Sequence, residues 1–176
     1  MTFSTVDEHY MQLALNEARL SFDEGSYPIG AALVIESELF ATGRNRMFVD
    51  GKWSSHAEHN LLDTHSKALR ERLRGKQGVS VQLYTTLEPC LMCLGTALSH
   101  RVSEIIVACP DPSGGTAGLD VSSLGSFYQD RFPSFRIGLM REASYDLMVR
   151  FFKQEKLIFW EAALAEFEAM KRSWQA

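Results

Sequence analysis

The sequence is short of everything that would place it in a membrane, in an oxidising compartment or on a polyanion. It has no run near the roughly 18–20 uninterrupted apolar residues that span a bilayer. Even 147–164 is interrupted by Arg150, Lys153, Gln154, Glu155 and Lys156. The amino terminus, MTFSTVDEHYMQLALNEARL, carries acidic residues where a signal peptide carries basic ones, and it lacks a continuous apolar core. The expectation is a cytoplasmic protein with no membrane partner. Cysteine is scarce: three residues cannot all pair within one chain, which excludes a disulfide scaffold. A Cys-x-x-Cys in that setting reads as a metal or redox feature. Only five prolines, no repeat and no low-complexity tract argue against collagen-like and disordered chains. Excess positive charge is also missing. With 18 basic and 22 acidic side chains the formal net charge is −4, so the strong field that attracts nucleic-acid phosphates is absent. The densest basic stretch, Lys67, Arg70, Arg72, Arg74 and Lys76, falls toward the end of an expected helix, where cations complement the helix dipole.

What remains is an ordinary globular composition over 176 residues, enough for one domain with a sizeable core. Apolar residues at helical spacing (Tyr10, Leu13, Ala14, Ala18, Phe22) predict a first helix over 6–22, stopping near Gly25. Strands are expected at 29–35 and 39–45, joined as a hairpin by a turn at Ser37 and Glu38. The spacing of Ala57, Leu61, Leu62, His65 and Leu69 then predicts a helix beginning close to His56. A strand over 79–86, a helix over 90–99 and a β-branched strand over 102–109 make a β-α-β crossover with parallel strands. The run PDPSGGTAG over 110–118 reads as a loop at a strand's carboxyl end, a favoured site position in open α/β sheets. Beyond it come a fifth strand over 135–140, a helix over 145–152, and a helical stripe of Leu157, Trp160, Leu164, Phe167 and Met170.

The chemistry concentrates in two short segments, His56-Ala57-Glu58 and Pro89-Cys90-Leu91-Met92-Cys93. One histidine and two cysteines suit a tetrahedral Zn2+ that keeps its fourth position open for water, the mark of a catalytic site. Cysteines three apart on a helix share a face, and a nearby helix amino terminus favours their thiolates. Glu58, two positions from His56, reads as a proton carrier beside the metal. H-x-E followed by P-C-x-x-C is the known signature of zinc nucleobase deaminases.

On these residues the chain resembles the cytidine and deoxycytidylate deaminase superfamily, in the branch holding tRNA adenosine deaminases, guanine deaminases and fungal-type cytosine deaminases. The supporting blocks are PIGAALV at 28–34, GRNRMF at 43–48, SHAEHNLL at 55–62, LYTTLEPCLMCLGTAL at 83–98 and the glycine-rich loop. The resemblance implies a three-layer α/β/α fold with a central five-stranded mixed sheet, forming a single domain over 1–176. In that picture 141–176 is a helical segment closing the pocket or an interface. It also implies His56, Cys90 and Cys93 as zinc ligands, Glu58 as proton shuttle, Asn45 as a substrate-contacting amide, and substrate-facing backbone at Ala57 and Glu88. A homodimer is implied in the same way.

Other readings use the same residues. A structural zinc would need a fourth protein ligand, for which His59 and Cys109 are available, but it leaves Glu58 unexplained. A thioredoxin-like pair of Cys90 and Cys93 leaves the His-x-Glu unexplained. A non-catalytic zinc-binding module is a third, against which Glu58 also speaks. Cys109, ending a β-branched run, reads as a small buried hydrophobe. Phe48, Trp53, Phe127, Phe152, Phe159 and Trp160 read mostly as core by default, with one or two of them candidates to stack on a flat base. Asp111, Asp120, Asp130 and Glu161 are candidates to recognise a ring N–H or amine.

The zinc chemistry does not choose the substrate. LEPC and the GTAG loop are close to the tRNA adenosine deaminases, but Lys52-Trp53-Ser54-Ser55 stands where that group has Asp-Pro-Thr, and the last segment lacks a strong basic tail. GRNRMFVDG and the aromatic LIFWEAA favour a small molecule. The leading expectation is therefore a small aminated heterocycle, whether base or nucleoside, with tRNA adenosine as the alternative.

Overall fold

A computed structural model describes residues 2–155 and 158–174, with the backbone alone at 155, 158 and 159. Seven helices and five strands are described: α1 (Thr5–Asp23), β1 (Gly30–Ile35), β2 (Glu38–Arg44), α2 (Met47–Asp50), α3 (Ala57–Arg72), β3 (Val81–Leu87), α4 (Leu91–Ser99), β4 (Glu104–Cys109), α5 (Ser126–Gln129), β5 (Ser134–Ile137), α6 (Arg141–Glu155) and α7 (Ile158–Ser173). The sheet runs β2-β1-β3-β4-β5, antiparallel on either side of β1 and parallel across β3, β4 and β5. This is the expected five-stranded mixed sheet between helical layers.

The two layers follow from the period-two alternation of strand side chains. Ala31, Leu33 and Ile35 join Leu83, Ile105 and Val107 on one face, where Leu61, Leu62, Leu94 and Leu98 of α3 and α4 cover them. Ala32 and Val34 join Tyr84, Ile106 and Ala108 on the other, under Tyr10, Met11, Ala14 and Leu15 of α1. Both faces of β1 and β4 are thus covered, so these strands read as continuous apolar runs. Gly30 shows how closely α1 lies on the sheet: a Cβ there would stand 2.1 Å from the Ala14 carbonyl oxygen.

Several boundaries move from their expected places for identifiable reasons. The hairpin turn is Glu36-Ser37, not Ser37-Glu38, and both residues have positive φ (50° and 67°), the mirror-image turn whose twist suits paired strands. The fifth strand is shorter than expected because Gly138, at φ 112°, turns the chain out of the sheet. The last two helices are longer than their stripes suggested, and Leu157 lies outside the described residues.

A single carboxylate joins three elements. Asp7 closes a capping box with Ser4 at the start of α1. The same side chain accepts from the Tyr84 hydroxyl of β3 (2.9 Å) and from both terminal nitrogens of Arg136 on β5 (2.8 and 3.0 Å). Arg136 also pairs with Glu104 of β4 at 2.8 Å. The Arg136 guanidinium holds the buried Asp7 carboxyl well below the usual carboxylate range. Removing one partner of such a pair leaves the other desolvated and unpaired. Asp7→Asn is expected to cost about 2–4 kcal/mol at neutral pH. Because the folded-state pKa is depressed, this contribution is present above the unfolded value, about 3.9, and is lost as pH falls through the folded one. Urea unfolding of both proteins from pH 7 down to pH 2 checks this; a gap that stays constant across the range contradicts it.

Candidate active site

Two helices deliver the reactive side chains from their first turns. His56 is the N-cap of α3 and Cys90 the N-cap of α4, both with extended backbone. Cys93 and Glu58 lie just inside their helices. The two cysteines therefore do not share a helix face as the sequence suggested. Cys90 stands outside α4 at the cap, and Cys93 folds back beside it from the third helical position, the spacing of a capping box. Each helix points its unsatisfied N–H groups and positive dipole end at this cluster, which favours thiolates there.

Donor atoms of His56, Cys90 and Cys93 all lie within 4.8 Å of one another. The His56 Nδ1 atom is 3.7 Å from the Cys90 sulfur and 3.6 Å from the Cys93 sulfur. A zinc ion with bonds of about 2.0 Å to nitrogen and 2.3 Å to sulfur at tetrahedral angles sets such atoms about 3.6 Å apart. The three residues thus fit one ion. Among the described residues no fourth His, Cys, Asp or Glu joins this group. His59 instead lies 3.3 Å from the Thr96 hydroxyl, and Cys109 is buried in the core beside Leu87, its thiol pushed up to about 12 by burial.

Protons are shared within the cluster. The hydrogen bond from the Cys93 thiol, followed by His56, pushes Cys90 down to about 3. Cys93 is raised, first by that bond and then by burial. His56 is raised by its contact with the Cys90 sulfur. Glu58 is 3% exposed, and burial raises its carboxyl above the ordinary range. Its Oε1 lies 3.1 Å from the Thr85 hydroxyl, while Oε2 lies 3.4 Å from the Cys93 sulfur. Thr85 thus fixes one oxygen and leaves the other beside the metal-binding atoms. Sequence reasoning did not single it out, although it sits in the quoted LYTTLEPC block.

These groups open into a cavity of about 320 Å³ whose lining includes Asn45, His56, Glu58, Cys90, Asp111 and Trp160. Asn45 is 1% exposed. Its Oδ1 accepts from the Met47 N–H at 3.0 Å, which fixes the amide orientation, and its Nδ2 has no hydrogen-bond partner among the described residues. A buried donor left unpaired costs free energy unless something else binds it. Ala57 is wholly buried with its side chain in the core, so any substrate contact there falls to its backbone. Glu88 lines the cavity, and its carboxylate accepts from the Asp111 and Ala117 N–H groups at 3.2 and 2.7 Å, pinning the glycine-rich loop. A Cβ on Gly115 would come within 2.6 Å of that carboxylate, so the loop needs glycine there. Of the acidic candidates Asp111 lines the cavity; Asp120, Asp130 and Glu161 are exposed away from it. The α6 and α7 helices close one side with Met148, Phe152, Trp160 and Phe167.

The first 109 residues decide the family. A family model described as the cytidine and deoxycytidylate deaminase zinc-binding region matches residues 4–109. The chain belongs to that family. As a member of the cytidine and deoxycytidylate deaminase family it is a zinc-dependent hydrolytic deaminase. It is 34% identical over 151 residues to the tRNA-specific adenosine deaminase of Bacillus subtilis, covering 85% of this chain and 91% of that one. A solved structure from a study of A-to-I editing by tRNA:A34 deaminases at the wobble position of transfer RNA superposes with a TM-score of 0.63 at 30% identity, over 79% of this chain and 98% of that one. A guanine deaminase from Nitrosomonas europaea, at 24% identity and a TM-score of 0.65 over 82% and 83% of the two chains, shares the fold.

One expectation fails in part. Phe48, Trp53 and Phe127 are not core: they are 49%, 88% and 50% exposed, whereas Phe152 and Trp160 are buried and the side chain of Phe159 lies outside the described residues. A separate cleft of about 490 Å³ lies at the far ends of α3 and α4, lined by Arg70, Arg74, His100 and Arg101. There Arg101 donates to the carbonyl of Leu73, the C-cap of α3, and to that of Lys76 beyond the helix.

Metal analysis checks the cluster. Purified protein is expected to carry one zinc per chain, Cys93→Ala to lose it, and Glu58→Ala to keep it. Because His56 and Cys93 must shed protons to bind an ion, zinc affinity should fall as pH drops below neutrality. Tight stoichiometric zinc in Cys93→Ala contradicts the arrangement.

Proposed function

We propose that this deaminase acts on adenosine in a tRNA loop, converting it to inosine, with His56, Cys90 and Cys93 holding the zinc and Glu58 moving the protons. The observation that carries the substrate is the correspondence with the B. subtilis tRNA-specific enzyme, which runs through 91% of that protein and not only through its zinc motifs. This reverses the order expected from charge and the last segment, where a small heterocycle led.

When bound, zinc supplies a Lewis acid that activates water near neutral pH. The chain supplies the rest. Glu58 Oε2, with its carboxyl raised by burial, suits a group that takes one proton from the attacking water and passes it to the ring nitrogen, then takes a second from the hydroxyl added to the ring carbon and passes it to the departing amine. Asn45 Nδ2 offers its unused N–H to a ring acceptor, and discrimination follows because a ligand without that acceptor leaves the donor unpaired. Phe152 and Trp160 shield the flat faces of the base from water.

A second reading, a free base or nucleoside, is favoured by one feature: Trp160 and Phe167 of α7 wall the cavity with aromatic rings against which a lone flat base could pack. Zinc-loaded protein is therefore to be given a tRNA anticodon stem-loop, assayed for inosine, beside a panel of free bases and nucleosides assayed for ammonia. Inosine in the RNA without comparable small-molecule turnover is expected. Turnover of a free base alone would sink the tRNA proposal. Glu58→Ala should lower kcat by about 10²–10⁴-fold while zinc is retained. Asn45→Ala should lower kcat/KM by about 10²-fold.

A further inference from the structure

Trp53 is 88% exposed, the most exposed large hydrophobic side chain among the described residues. It is not on a remote surface. Its ring lines the catalytic cavity and also a second hollow of about 240 Å³, whose lining is Met47, Phe48, Gly51, Lys52 and Trp53. The two cavities adjoin and share Met47 and Trp53 as a common wall. We propose that this hollow is a binding site for the base of a nucleotide adjacent to the one being deaminated, stacked on the Trp53 indole, with Lys52 against the connecting phosphate. The inference rests on the RNA reading above and deepens it.

Three observations carry it. The first is rigidity. The segment is stapled on both sides, with the Phe48 N–H donating to Ser26 Oγ (3.1 Å), the Ser55 hydroxyl to Asp50 (3.1 Å) and the Lys52 N–H to the Met47 carbonyl (3.1 Å). Gly51 makes the tight left-handed turn between the two rings, at φ 62°. The second is the aromatic wall. Phe48 stacks at 28° and 5.4 Å between centroids on Tyr27, itself a wall of the catalytic cavity, and remains half exposed. An aromatic face held open to water is the platform on which single-stranded bases stack whatever their sequence. The third is charge. Arg46 is occupied by Glu24 and Asp50, whereas no ion pair involves Lys52 among the described residues. A free cation at the rim complements a phosphate, and a lone base would use neither it nor the second hollow. Low overall positive charge is compatible with this, since a few local contacts position a loop already gripped by its target base.

The test uses zinc-loaded protein and anticodon stem-loops carrying 2-aminopurine on one or the other side of the target adenosine. Binding to Glu58→Ala, which blocks turnover, should quench the fluorophore on one side through the indole. Adding Trp53→Ala should abolish that quenching, and adding Trp53→Phe should keep the affinity. In the active protein Trp53→Ala should raise KM for the stem-loop about 5- to 150-fold with kcat within about twofold, the range that loss of one stacked base implies. Lys52→Gln should flatten the salt dependence of binding. Wild-type KM and quenching in Trp53→Ala would overturn the inference while leaving the RNA reading intact. So would a change of subunit assembly in that variant by light scattering, which would make Trp53 an interface residue. Absence of inosine from the wild type overturns both.

Discussion

The metal-binding cluster depends on two helix amino termini lying side by side at the carboxyl end of β3. A first helical turn has backbone N–H groups that no carbonyl of its own helix can satisfy, and its dipole end is positive. Two such ends brought together form a place where a thiolate or carboxylate is electrostatically welcome. The chain uses the cap positions themselves, His56 and Cys90, so that the ligand side chains leave the backbone before the helix begins. That explains why three residues from segments over thirty positions apart come within 4.8 Å of one another without strain at any of them. The parallel pairing of β3 with β4 is what sets α4 against α3, since the crossover must return over the same face of the sheet.

Carboxylates do the joining elsewhere. Asp7 couples the first helix to β3 and, through Arg136, to β5. Glu88, one residue beyond β3, binds two N–H groups of the glycine-rich loop and so fixes one wall of the cavity. Their environments differ from that of Glu58. Asp7 sits under a guanidinium and Glu88 accepts from backbone donors, whereas Glu58 has burial as its dominant influence. Three acidic side chains that look alike in the sequence are separated into clamp, loop anchor and desolvated carboxyl beside the metal-binding atoms by what surrounds them.

The hairpin, the β-α-β crossover, the main helices and the zinc cluster were legible because each is written in local spacing. Short apolar runs bounded by turn residues mark β1 and β4, a 3.6-residue period marks α1 and α3, and the H-x-E and P-C-x-x-C segments mark the metal-binding residues. What could not be read is what depends on a partner distant in the chain. Thr85 becomes meaningful only when β3 lies behind α3. Asp111 is distinguished from Asp120 and Asp130 only by the Glu88-anchored turn that brings it to the cavity. The aromatic residues were misjudged for a related reason: hydrophobicity predicts burial on average, but Trp53 and Phe48 sit in a short stapled segment with no layer above them.

Substrate choice is the least local property of all, because the reacting atoms are the same for every member of such a family. Selection must come from the rim, and the rim here is assembled from four separate stretches: Tyr27, the 45–53 segment, the glycine-rich loop, and the helices α6 and α7. Net charge is a poor guide to such a rim. A total of −4 sums over every exposed side chain, whereas the cavity and its rim present a buried amide, several rings and Lys52, which has no ion pair among the described residues. A composition that disfavours broad electrostatic attraction to nucleic acid is therefore consistent with a site that holds a short single-stranded loop by stacking. Binding of that kind depends less on long-range field than on preorganised aromatic surface, and it is the preorganisation of residues 46–55 that the fold supplies.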